Sequence, residues 1–144
     1  MFRSFLAVMT LFVVLIAAPA AQDVYLHQAR LQLAAIAENV LGYGWTFTHD
    51  IVTGSLPERG RDSVRLSLTG GRRYKVTATC DEDCRDIDLE LVDRFGTVIS
   101  RDFGPDDVPI VTATPYVDGT YRVRVIMASC DRGPCRYALG VFGQ

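Results

Sequence analysis

Lysine is almost missing from this sequence: Lys75 stands alone beside fourteen arginines. Histidine is confined to His27 and His49, and no serine lies in a Gly-x-Ser-x-Gly elbow, so the usual base and nucleophile of serine hydrolases are not signalled. His49 and Asp50 are adjacent near an expected strand, where neighbours point to opposite faces and cannot form a direct relay. Beyond the first twenty residues no apolar run is long enough to span a bilayer. The formal net charge is -2, with acids and bases interspersed, which gives no sign of a basic nucleic-acid surface. Nothing in the chain fixes the separation of two carboxylates as glycoside hydrolysis would require. The expectation is a protein that is not an enzyme, with a small secreted hydrolase as one alternative.

What is present points outside the cytoplasm. Met1 to Ala20 has Arg3 near its start, an apolar run from Phe5 to Ala18, and small residues Ala18 and Ala20 around a cut after Ala20, the three parts of a secretory signal. Ala21 would then lead the chain, so no cysteine is offered for lipid attachment, and no membrane span is expected after cleavage. An uncleaved anchor is the competing reading. The remaining 124 of 144 residues fit one domain with a single core. Four cysteines in an exported chain favour disulfides over thiol chemistry. Polar turn residues separate Cys80 from Cys84 and Cys130 from Cys135, which favours pairing within each short loop, at about 2 kcal/mol of stabilisation apiece. Cross-loop pairing stays open, and zinc ligation is the alternative, although the spacings are not those of zinc knuckles. The expected location is the periplasm or the cell exterior.

Residues 21–44 read as a helix and connector, and residues 45–144 as a β-sandwich. Asp23 can cap a helix from Val24 to about Leu41, ended by Gly42. Leu26, Ala29, Leu33, Ile36 and Val40 form its apolar stripe, which packs on the domain, meets a partner or pairs with its own copy. After Gly44 the period changes to two. Val64, Leu66 and Leu68, then Tyr74, Val76 and Ala78 past the Gly70-Gly71 turn, read as a hairpin with one buried face. Strands at Thr46 to Val52, Ile87 to Leu91, Thr97 to Arg101, Val108 to Thr114, Tyr121 to Met127 and Tyr137 to Val141 follow the same logic. About eight short strands with frequent turns give a mainly β fold, an antiparallel jelly-roll-like sandwich with one N-terminal amphipathic helix.

Gly54 to Leu56, the Val64 to Lys75 segment with Gly70-Gly71-Arg72-Arg73-Tyr74, Asp86-Ile87-Asp88-Leu89-Glu90-Leu91 ending in Asp93-Arg94-Phe95-Gly96, and Asp118-Gly119-Thr120-Tyr121-Arg122-Val123 before Tyr137-Ala138-Leu139 carry a resemblance. Over residues 54–142 the chain resembles the bacterial pre-peptidase C-terminal domain. The resemblance implies a secreted jelly roll, often appended to proteases and usually non-catalytic, some of whose members bind calcium or extracellular polymers. Only the short helix precedes it in this sequence, and the two cysteine loops are not general to that family, which suggests an exported stand-alone subgroup.

Asp81, Glu82, Asp83, Asp86 and Asp88 are the densest acidic group, and carboxylates beside backbone carbonyls suit a hard, oxygen-seeking cation. Calcium held by Asp81, Asp83, Asp86 and Asp88 is set against solvated acids around a disulfide turn, because the spacing lacks the central glycine and terminal acid of the twelve-residue calcium loop. Asp86 and Asp88 alternate with Ile87 and Leu89 and should share a face. Arg65, Arg101, Arg122 and Arg124 should project from outer sheet faces, as solvated ion pairs or as a surface for anionic polysaccharide. The sequence therefore reads as an exported non-catalytic sandwich without a required cofactor. Its role would be binding or structural, with an unknown protein or polysaccharide of the envelope as partner; a calcium-dependent module is the alternative.

Overall fold

A computed structural model describes residues 20–144, with side chains from residue 24 onward. The expected export signal falls outside the described residues apart from Ala20. Among the described residues no helix is long and apolar enough to cross a membrane.

Among the described residues the segments of two-residue periodicity form nine strands: β1 (Thr46–Phe47), β2 (Val52–Leu56), β3 (Arg61–Leu68), β4 (Tyr74–Cys80), β5 (Cys84–Val92), β6 (Val98–Asp102), β7 (Ile110–Ala113), β8 (Gly119–Cys130) and β9 (Cys135–Gly143). One sheet has the order β2-β9-β4-β7, with β1 beside β9 on the β2 side; the other runs β3-β8-β5-β6. Every pairing is antiparallel. These two layers make the jelly roll expected from the sequence. Between them, Leu66, Ile87, Leu89, Val125, Tyr137 and Leu139 belong to one continuous core.

The single helix among the described residues, α1 (Ala20–Ile36), continues through a wider π turn at Ala37–Leu41 and stops at Gly42, whose φ of 93° is a conformation glycine adopts without strain. It lies on the sheet containing β9, hereafter the covered sheet. Ala29, Leu33, Ala37 and Leu41 are buried there against Ala138 and Phe142, with Trp45 and Phe47 at the margin. A β-carbon at Gly140 would come within 3.2 Å of Leu33, so the glycine lets helix and strand approach. Full burial of a side chain such as Leu33 is worth about 1.5–3 kcal/mol. Lys75 has a structural post: its Nζ donates to the Leu41 carbonyl at 2.8 Å and lies 4.6 Å from the Trp45 ring centre. It thus compensates the negative end of the helix.

Four details depart from expectation. β3 and β4 are not a hairpin, because β3 pairs with β8 in the open sheet and β4 with β9 and β7 in the covered one. Alternation alone cannot separate these cases, since strands facing each other across a core show the same pattern as strands side by side. The connecting turn instead binds the β7–β8 loop, through Gly70 N–H to Asp118 Oδ1 and Gly71 N–H to the Pro115 carbonyl. On the helix, Leu26 and Val40 are exposed while Ala37 and Leu41 are buried. The i to i+5 bonds of the last turn place more than four residues in each revolution, so a step of four no longer overshoots the sheet. Finally, Asp23 lies within α1 and is not its cap. The expected strand from Thr46 to Val52 is also split, with Thr48 N–H still bonding the Val141 carbonyl between the two pieces.

Candidate functional site

Both disulfides form as favoured, Cys80 with Cys84 and Cys130 with Cys135, with Cα separations of 5.9 and 6.0 Å. No cysteine is left free for zinc. The first bridge joins the end of β4 in the covered sheet to the start of β5 in the open one; the second joins the end of β8 to the start of β9. Cys84 and Cys130 are opposite each other in the β5–β8 ladder, so the two bridges sit together at one end of the sandwich. The loops they close are tied to each other and to β9. Arg136 N–H donates to Asp81 Oδ2 at 2.8 Å, Asp131 N–H to the Asp83 carbonyl at 2.8 Å, and Arg85 Nε to Asp131 Oδ2 at 2.6 Å.

Tyr25 of α1 leans over the same end, its ring 5.5 Å from the Arg136 guanidinium. Clefts open on both sides of it, one lined by Gln28, Gln32, Glu82 and Arg85, the other by Thr53, Ser55 and Pro134. Its hydroxyl and Asp81 Oδ1 are buried without a hydrogen-bond partner. Burial, and secondarily the Asp81 carboxylate, push the phenol up to about 12 despite the opposing Arg136.

The four expected cation ligands separate into two groups. Asp81 and Asp83 brace the cysteine loops, whereas Asp86 and Asp88 lie on β5 near Asp102 and Asp106. Asp102 Oδ1 and Asp106 Oδ2 flank Gly104, each 3.3 Å from where its β-carbon would be. Backbone bonds hold this loop: Asp102 Oδ2 accepts from Ile110 N–H, Asp106 Oδ1 from Val108 N–H, and the Asp106 carbonyl from Ile87 N–H. Asp86 and Asp88 are half-buried, yet in each the Oδ1 atom is shut off from solvent and has no hydrogen-bond partner. Burial, then the Asp106 charge, raises Asp86 above the ordinary carboxylate value. Burial, then Asp86, Asp102 and Asp106, lifts Asp88 to about 6. Among the described residues no three His, Cys, Asp or Glu side chains are gathered closely enough to hold a metal ion as they stand. Asp102 and Asp106 were missed in the sequence because Asp102-Phe103-Gly104-Pro105-Asp106 reads as an ordinary turn, and only the pairing of β5 with β6 brings it to Asp88.

A pH dependence follows for Asp88. Its folded value lies above its unfolded value, so the stability associated with its proton is present below about pH 4 and lost as pH rises through about 6. Asp88→Asn should therefore become more stable relative to wild type between about pH 5 and about pH 7.5, measured as paired thermal midpoints in chelator. A difference that stays constant over that interval would refute the raised value.

The remaining candidates have plain positions. His27 is exposed on α1. Both ring nitrogens of His49 are engaged, with Thr48 Oγ1 at 2.9 Å and the Ser67 carbonyl at 2.9 Å, tying the break between β1 and β2 to β3. Arg65, Arg101, Arg122 and Arg124 are exposed on the outer face of the open sheet.

No family model and no curated protein matches the chain. Among solved structures it is similar to accessory secretory protein 1,2 and 3 of Streptococcus pneumoniae, at 14% identity and a TM-score of 0.39, over 75% of this chain and 91% of that one. It is also similar to the pre-peptidase C-terminal domain of a Bacillus anthracis collagenase, at 17% identity and a TM-score of 0.46, over 66% of this chain and 88% of that one.

Proposed function

We propose that this protein is a non-catalytic binding module of an oxidising compartment outside the cytoplasm, with a calcium-responsive end at Asp86 and Asp88. The reading rests on one observation, the two solvent-excluded carboxylate oxygens without a donor beside the acids of the β6–β7 loop. Each unpartnered charged oxygen is costly, and either a proton or a cation relieves it. Calcium suits this setting because it accepts several oxygen ligands in flexible geometry. Asp86, Asp88 and Asp106 would have to draw together from their present positions to supply carboxylate oxygens, while Asp102 is already occupied by the Gly104 and Ile110 amides.

Thermal melts in calcium and in chelator, at a pH above the Asp88 value, test this. A free calcium concentration about a hundredfold above its dissociation constant should add about 2.7 kcal/mol to native stability. Asp86→Asn combined with Asp88→Asn should remove the shift while raising the midpoint in chelator. Identical wild-type midpoints in the two media would discard the calcium reading.

A further inference from the structure

The outer face of the open sheet divides into halves of opposite charge. Toward the cysteine bridges it carries Asp86 and Asp88, with the exposed Arg61 at the β3 margin of the Asp88 row. Toward the other end, Arg65 of β3 stands directly opposite Arg122 of β8. In the neighbouring row Arg124 of β8 is opposite Glu90 of β5, which is opposite Arg101 of β6. Glu90 is clamped, with Arg124 Nη1 at 2.7 Å and Arg101 Nη2 at 4.0 Å, and its side chain is only 12% exposed. Arg65 and Arg122 have no carboxylate within ion-pair distance among the described residues. Four guanidinium groups against one carboxylate leave three positive charges, on a chain whose formal net charge is -2.

Like charges directly across a strand pair repel, and a bound anion would turn that repulsion into attraction. With strands about 4.8 Å apart, the four-strand patch spans roughly 14 Å. Guanidinium is the group whose planar fork matches a carboxylate with two parallel hydrogen bonds. At the β6 edge the half-exposed Phe103 lies 5.7 Å from the Arg101 guanidinium, leaving an apolar ring available to the face of a sugar.

We propose that this arginine half binds a carboxylate-bearing polysaccharide, the chain crossing the strands from Arg65 toward Arg101. The inference builds on the binding-module reading and names a partner class for it, at a surface separate from the cation end. The acidic half restricts the occupant. A rigid polyanion lying along the strands would run from the arginines onto Asp88 and Asp86, whereas a narrow flexible one crossing them would not. A duplex nucleic acid fits this boundary poorly. A lipid surface is disfavoured because the positive centre is a flat guanidinium row, with its exposed apolar groups, Ile99 and Phe103, confined to one edge.

Binding of the full chain to hyaluronan, with dextran as the uncharged comparison, tests the inference in chelator, so the outcome does not depend on calcium. Affinity for hyaluronan at low ionic strength should fall about tenfold or more in ~0.5 M NaCl, as expected of solvent-exposed charges. Arg65→Gln with Arg122→Gln should weaken it about tenfold while leaving the unfolding midpoint unchanged or higher, since a repulsive pair is removed. Glu90→Gln should strengthen binding by freeing Arg101 and Arg124, which a merely structural role for the arginines would not produce. Arg132→Gln, on the second cysteine loop, should change nothing. Failure to bind hyaluronan, equal affinity for dextran, or indifference to the Arg65 and Arg122 changes would overturn the proposal. Tighter binding to duplex DNA or to phosphatidylglycerol vesicles would overturn it in favour of that partner. A chain that binds hyaluronan but shows no calcium shift would retain the arginine face and lose only the cation end.

Discussion

Replacing Gly54 with valine should destabilise the fold by about 3–5 kcal/mol, the sum of overpacking and a lost charge-assisted hydrogen bond. Gly54 on β2 is directly opposite Tyr137 on β9, and the tyrosine ring lies across it. A β-carbon at Gly54 would fall 2.5 Å from the Cε1, Cζ and Oη atoms of that ring. The ring has no free volume to retreat into, because Tyr137 is fully buried and its hydroxyl donates to Asp62 Oδ2 at 2.6 Å. That bond runs from the covered sheet to β3 of the open one, so displacing the ring also loosens a strut between layers. Burial, then the bonded Asp62, keeps the phenol protonated well above its ordinary range. Tyr137→Phe separates the contributions, since it keeps the ring and removes only the hydrogen bond, and it should cost about 1.5–3 kcal/mol. Urea unfolding read by circular dichroism gives both values; a Gly54→Val midpoint equal to that of wild type would refute the packing argument.

Loss of either disulfide alone should cost about 2 kcal/mol by loop-closure entropy, and loss of both should cost more than the sum of the two. Each ring is small, five residues from Cys80 to Cys84 and six from Cys130 to Cys135, but their placement matters as much as their size. Each closes a crossover between sheets at the same end, and Cys84 and Cys130 are ladder partners there. Bridges sharing one junction are not independent sites, so their removals should not add. Either bridge alone holds the end of the sandwich, and the second removal should therefore cost more than the first. Cysteine-to-serine pairs made singly and together, compared by urea midpoints, measure the coupling. Simple additivity would mean that the two bridges act separately.

The sequence exposed different levels of this structure unequally. Strand positions were legible from residues such as Ile87, Leu89 and Leu91, because sandwich strands repeat every two residues wherever they pair. Cysteine pairing was legible because four and five positions of separation permit an easy local ring. Outward arginines were legible from the same alternation. Partnerships were not: Gly70-Gly71 serves a hairpin or a crossover equally well, and the choice is made by the Asp118 and Pro115 contacts some forty-five residues later. The helix stripe failed at Val40 and Leu41 because a π turn changes the period within the last revolution. The acidic site was half legible. Asp86 and Asp88 announce themselves on one strand, but Asp102 and Asp106 join them only through the β5–β6 ladder.

The docked helix also limits self-association. With α1 roofing the covered sheet, the described residues leave one broad face bare, the open sheet. Two copies meeting through that face would have no second bare face of the same kind among the described residues, so sheet-upon-sheet stacking of this part would end with a pair.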